Sequence, residues 1–96
     1  MANYRLSNEA KNDLIRIHHY GVQQFGMAQA DRYFKGFYAC FERIAAKPFA
    51  FEAVEHIKVG YRRCVCGVDS IFFRLNDNVV EIMAIVGRQD INQIFK

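Results

Sequence analysis

Ninety-six residues make one domain, 1–96, and leave no room for a second core. With 52% hydrophobic residues, nine phenylalanines and one proline, the chain is not a disordered one. The net charge of +3 is divided as eight Lys/Arg against six Asp/Glu over residues 1–58 and five against four beyond, which excludes a polybasic arm.

No apolar run approaches the roughly 20 residues of a membrane span. The opening MANYRLSNEAKNDL has no stretch of signal-peptide character. A cytoplasmic protein without a membrane partner is therefore expected.

The first strand is short. In Asn3-Tyr4-Arg5-Leu6 polar and apolar residues alternate, with Tyr4 and Leu6 on one face. Ser7 suits an N-cap and Glu9 the first turn of a helix. That helix runs to about Phe25, with Ala10, Leu14, Ile17 and Gly21 on its buried face. Gly26 stands where a helix C-cap belongs. A second helix follows from about Met27 to Ala46, with a stripe of Ala30, Phe34, Phe37, Phe41 and Ile44. Lys47-Pro48 ends it, because the residue before proline is pushed out of helical geometry. So short a link predicts an antiparallel helical hairpin.

Residues 49–58 have no clear period and read as a loop back to the sheet. Strands are predicted over 61–66, 70–75 and 79–86, joined by the turns Gly67-Val68-Asp69 and Asn76-Asp77-Asn78. The tail, 90–96, reads as one helical turn capped by Asp90, with Ile91, Ile94 and Phe95 as its apolar side. The expected fold class is α+β, β-α-α-β-β-β, with the helical hairpin packed on one face of a small antiparallel sheet.

Parity assigns the arginines of the sheet. Arg62 and Arg63 leave opposite faces of their strand. The one on the helix side must reach the edge or find a carboxylate, since a buried unpaired guanidinium is very costly. Phe72 and Arg74 share one face, Phe73 and Leu75 the other. In the last strand, Val79, Met83 and Ile85 alternate against Val80, Ile82, Ala84 and Val86, and Glu81 is placed to pair with an arginine across the sheet. The open face is then partly apolar. It is either covered by the chain's own tail or left as a docking groove for a partner.

Other candidates have plainer readings. Cys64 and Cys66, on one face of a strand, and Cys40 read as small apolar fillers in a reducing cytosol, not as a metal or redox site. His18 edges the core and His19 faces solvent. Neighbours about 100° apart on a helix cannot share a metal. His56 reads as a solvated loop histidine. No metal or cofactor is expected.

The element order, the Leu-Ser strand leading into the first helix, GYRR at 60–63 and an aliphatic strand exiting into GRQD at 87–90 together resemble the RelE/ParE toxins of bacterial type II toxin–antitoxin systems. The ParE branch is the most similar. Many of its members carry a histidine before the arginine at the end of the last strand, where this chain has Gly87. The resemblance implies a non-enzymatic toxin that inhibits DNA gyrase by trapping its cleaved-DNA complex, interfering with replication. A ParD-like antitoxin would neutralise it, and operator DNA would be met only through that antitoxin. It also implies a partner-binding set for antitoxin or gyrase: Arg62, Arg63, Arg74, Arg88, Ile94 and Phe95.

Two other readings remain. A RelE-like ribosome-dependent mRNA endonuclease needs cations beside the phosphate and a proton acceptor. His56 and Lys58 would be its proton-transfer candidates, but the tail ends in Phe95, without a hydroxyl. A non-toxic or degenerate interaction module is the other.

Overall fold

The computed structural model describes residues 3–87. Ser7 sets the chain's first change of direction. Its hydroxyl accepts from the Ala10 N–H at 3.0 Å and donates to the Met83 carbonyl at 2.9 Å. One side chain thus ends β1 (Asn3–Leu6) and caps α1 (Asn8–Phe25). α1 closes at Gly26, whose φ of +88° favours glycine. α2 (Met27–Ala46) begins at the next residue and packs back along α1. Lys47 breaks the helix at φ −145°, ψ 71°, as a residue before proline should. These bounds match the sequence reading because cap residues, not propensities, set them.

A 3-10 turn at Pro48–Ala50 and a two-residue strand, β2 (Glu52–Ala53), lie in the segment that has no sequence period. The chain then forms β3 (Arg62–Cys66), β4 (Asp69–Asn76) and β5 (Val79–Gly87). The sheet has five strands in the order β1-β5-β4-β3-β2. It is mixed, not purely antiparallel, because β1 runs parallel to β5. The helical hairpin is the crossover that a parallel pair requires. The register pairs Tyr4 with Val80 and Leu6 with Ile82, so the apolar side chains of β1 join those of β5 under the helices.

The main core lies between the hairpin and one sheet face. Phe37, Phe41 and Ile44 of α2 and Ala10 and Leu14 of α1 meet Ile71, Phe73, Val80, Ile82 and Ile85. Phe34, expected on the buried stripe, is only half-buried. It stands at the rim, with its ring 5.5 Å from that of His18 and 5.4 Å from that of Tyr38.

Strict alternation fails in β5. Phe72 pairs with Ala84 but Phe73 pairs with Ile82, so Met83 is an extra residue. This bulge reverses the parity beyond it. Ile85 therefore joins Val80 and Ile82 under the helices, while Met83, Ala84 and Val86 turn to the open face. β1 pairs with β5 only as far as Ile82. Past that point side chains serve the edge of β5. Ile85 N–H donates to Asp13 at 3.0 Å, and Arg16 reaches the Ile85 carbonyl at 3.4 Å.

A smaller core occupies part of the open face. Val54, Tyr61, Phe72, Ala84 and Val86 are buried there, with Ile57 and Met83 against them. The cover comes from the loop 54–61. Its turns are held by Ile57 N–H and Lys58 N–H donating to the Val54 carbonyl, and by Val54 N–H donating to the Tyr61 carbonyl at 2.9 Å. The expected alternative cover, the tail, lies outside the described residues.

Candidate partner-binding surface

The open face is built in rows across the sheet, the first uncovered and the second running from the edge at Glu52 and Arg63 under the smaller core at Phe72 and Ala84. Arg5 stands opposite Glu81, and Glu81 opposite Arg74. Arg5 donates to one Glu81 oxygen from Nε at 2.9 Å and from Nη2 at 2.6 Å. Arg74 Nε donates to the other at 2.8 Å. Both lone-pair regions of one carboxylate are thus filled by guanidinium groups. These two arginines, Arg74 first, hold the Glu81 carboxyl below its ordinary pKa. The expected cross-strand partner of Glu81 is present, and Arg5 adds a second that the sequence reading did not name. Its signal was available: Arg5 occupies the polar phase of a four-residue alternating strand.

The next row places Glu52, Arg63, Phe72 and Ala84 side by side. Arg63 Nε is 3.6 Å from Glu52, an ion pair without a hydrogen bond. Val65 follows on the same face as Arg63 and is 53% exposed. An open groove of about 460 Å³ borders these rows, lined by Ser7, Asn8, Glu9, Lys58, Tyr61, Met83 and Ala84. The surface therefore combines two arginines fixed by one carboxylate, Arg5 and Arg74, with Arg63 and the apolar groups Val65 and Met83.

Arg62 does not belong to this surface. It leaves on the helix side, donates to the Phe51 carbonyl at 2.7 Å and lies 4.9 Å from the Phe49 ring centroid. It meets the parity requirement by reaching the edge, with a carbonyl and an aromatic face in place of a carboxylate. Arg63 and Arg74 are thus brought together and Arg62 is set apart. Arg88, Ile94 and Phe95 lie outside the described residues.

The remaining candidates behave as structural groups. Cys40, Cys64 and Cys66 are free and buried, with the Cys40 and Cys66 sulfurs 2.9 Å apart. Burial pushes Cys64 up to about 11 and Cys66 up to about 12, with Cys40 adding to both. Those two thiols stay protonated and unreactive at neutral pH. Among the described residues no group of three or more His, Cys, Asp or Glu is placed to hold a metal ion. No helix among them is long and apolar enough to cross a membrane. His18 meets Asp31 of α2 at 2.8 Å, His19 is exposed, and so is His56. Lys58 lies over the Tyr61 ring, 5.4 Å from its centroid.

Tyr33 was not singled out from sequence, yet it anchors the β3–β4 turn. Its hydroxyl donates to Asp69 at 2.8 Å and accepts from Val68 N–H at 3.2 Å. Burial first, then that hydrogen bond to Asp69, raises the phenol above its ordinary pKa and keeps the proton on it.

Comparison with known proteins gives the same direction. The family described as the ParE toxin of the type II toxin–antitoxin system parDE matches residues 4–92. Toxin ParE1 of Caulobacter vibrioides is 39% identical over 79 residues, 82% of each chain. Toxin ParE1 of Mycobacterium tuberculosis is 26% identical over 92 residues, 94% of each chain. Among solved structures, the chromosomal ParDE system of P. aeruginosa superposes with a TM-score of 0.81 at 17% identity, covering 91% of this chain and 96% of that one. The RelBE2 toxin–antitoxin complex of Mycobacterium tuberculosis gives 0.60 at 16% identity, covering 91% and 98%. At these identities the two structures speak to the fold alone.

Proposed function

We propose that this chain, which belongs to the ParE toxin family of type II toxin–antitoxin systems, inhibits DNA gyrase by binding and is neutralised by a ParD-like antitoxin. The observation that carries this reading is the family match over residues 4–92. The open sheet face supports it. Arg5 and Arg74 are locked on Glu81, which leaves two pre-set cations, and Arg63 stands by Val65, 3.6 Å from Glu52 without a hydrogen bond. Such an array suits recognition, because little side-chain freedom remains to be lost on docking.

Inhibition by binding alone has a simple energetic form. Gyrase alternates between intact and cleaved DNA states. A ligand that prefers the cleaved state accumulates it in proportion to the ratio of its two affinities. A hundredfold preference corresponds to about 2.7 kcal/mol, within reach of one small interface. The antitoxin acts by mass action on the same chain. An acidic segment that is disordered alone would order along the arginines and apolar groups of the open face. Arg88, Ile94 and Phe95 belong to the same proposed set.

A second reading rests on Lys58 over Tyr61, with Arg74 nearby in the next strand. That brings cations and a phenol to one region, as RNA cleavage would need. One experiment separates the two. Purified gyrase is assayed for supercoiling with the toxin and without ribosomes. Inhibition with linear, protein-linked DNA is expected. Full gyrase activity in excess toxin, with codon-spaced cuts in ribosome-bound mRNA, would move the assignment to the RelE branch and make His56 and Lys58 the first residues to mutate.

A further inference from the structure

α2 carries a second charged surface that the reading above does not use. Arg32, Lys35 and Arg43 lie within about 60° of one line along the helix, on the side away from Phe37 and Phe41. Lys47, just past the helix end, continues that line. All four are exposed. Between them stand only Gly36, Ala39 and Ala46. The acids of the helix, Asp31 and Glu42, lie about 100° round from Arg32 and Arg43, on the flank where Lys35 stands, with Asp31 one turn before Lys35. Asp31 is also turned to His18 of α1 at 2.8 Å.

Elsewhere most of the described arginines are held internally, whereas Lys11 of α1 stands alone and exposed. Arg5 and Arg74 meet Glu81, Arg16 meets Asp13, and Arg63 meets Glu52. Among the described residues Arg32, Lys35 and Lys47 have no ion-pair partner, and Arg43 contacts only the Cys40 sulfur, at 3.2 Å. Gly36 adds an independent observation. A Cβ built there meets nothing within 4 Å, so no packing inside the molecule calls for a glycine in mid-helix. A bare backbone flanked by long cations permits close approach by a large charged surface.

We infer that the outward face of α2 binds the phosphate backbone of duplex DNA. The charge requires a polyanion. The face offers no apolar anchor, and a disordered acidic peptide needs one to offset its ordering entropy. A duplex backbone needs only cations at close approach. From Arg32 to Arg43 the line is roughly 16 Å long, about the rise of four to five base pairs. The inference goes beyond the gyrase reading and rests on it only for where DNA would be met, at the cleaved complex.

The test is fluorescence anisotropy of a labelled 20-bp duplex titrated with the toxin alone from 50 to 200 mM salt. Neutralising up to four phosphates predicts a log–log salt slope of about −3 to −4, hence a loss of about 100-fold in affinity over that range. R32Q should reduce the slope magnitude by about 0.9, and R32Q/K35Q/R43Q/K47Q should abolish binding while keeping the parent's circular dichroism and melting curve. K11Q, exposed on α1, should leave the slope unchanged. No binding by the parent at 50 mM salt, or equal binding by the fourfold variant, overturns the inference. So does tighter binding of a polyglutamate peptide than of the duplex, which would assign the face to an acidic peptide. Gyrase cleavage assays separate this result from the target reading. If the parent leaves gyrase untouched, the target reading falls while the duplex result stands. If the parent and the fourfold variant trap equally well, the α2 face has no part in trapping.

Discussion

Glu81 carries more of the open face than any other single residue. Two guanidinium groups occupy its two oxygens, so its carboxyl titrates below the ordinary value, with Arg74 the larger cause. The sign of the pH effect follows. A carboxyl whose folded pKa is depressed adds stability that is fully present above its unfolded pKa of about 4.3 and is lost as pH falls through the folded value. Melting temperature of the parent should therefore decline on acidification below about pH 4.5, and Glu81→Gln should lose less over the same interval. Parallel curves for the two proteins would show that the network adds nothing pH-dependent to stability. Gly67 is the second residue whose identity is dictated. Its φ is +61°, and a Cβ there would meet the Tyr33 hydroxyl at 2.6 Å. Gly67→Ala must strain the backbone and displace the phenol from Asp69, at roughly 1–3 kcal/mol. Chemical denaturation measures it, and an unchanged midpoint would mean that the turn relaxes freely.

At the scale of elements, α2 divides into faces with opposite responses to mutation. Phe37 and Phe41 are fully buried, so truncation to alanine should cost about 3–5 kcal/mol each. Phe34, expected on the same buried stripe, is half-buried at the rim and should cost clearly less. On the outward face Gly36→Ala should instead stabilise by about 0.5–1 kcal/mol, seen as a melting point a few degrees higher. The same contrast explains what the sequence made legible. Helix bounds were readable because Ser7, Gly26 and Lys47-Pro48 act locally. The pairing of Glu81 with an arginine followed from strand parity. The bulge at Met83 was not readable, because an inserted residue is selected by contacts from Ser7 far away in the chain. Parity assignments were therefore right up to Met83 and reversed at Ala84, Ile85 and Val86. The loop 54–61 carries no period because its apolar residues are spaced to fit Phe72 and Val86, not to repeat. The cations of α2 were visible as residues but not as a surface, since their importance lies in the partners they lack.

At the scale of the molecule, the helical layer separates two outward surfaces of different chemistry. The open sheet face sets arginines beside Val65 and Met83. The outward face of α2 sets cations among glycine and alanine. The first suits a segment that orders on binding, the second a rigid polyanion. Because the main core lies between them, they share no side-chain partner. Mutational effects at separated sites without shared partners are close to additive. Arg74→Glu places a carboxylate against Glu81 and removes a cation from the sheet face. It should weaken binding of a ParD-like antitoxin segment by about tenfold or more. Arg43→Gln should leave that affinity within about twofold, and the double variant should show the product of the two single effects. Titration calorimetry with the antitoxin segment provides the numbers. A coupling larger than about fivefold would mean that one partner spans both faces, and the two surfaces would then have to be treated as a single site.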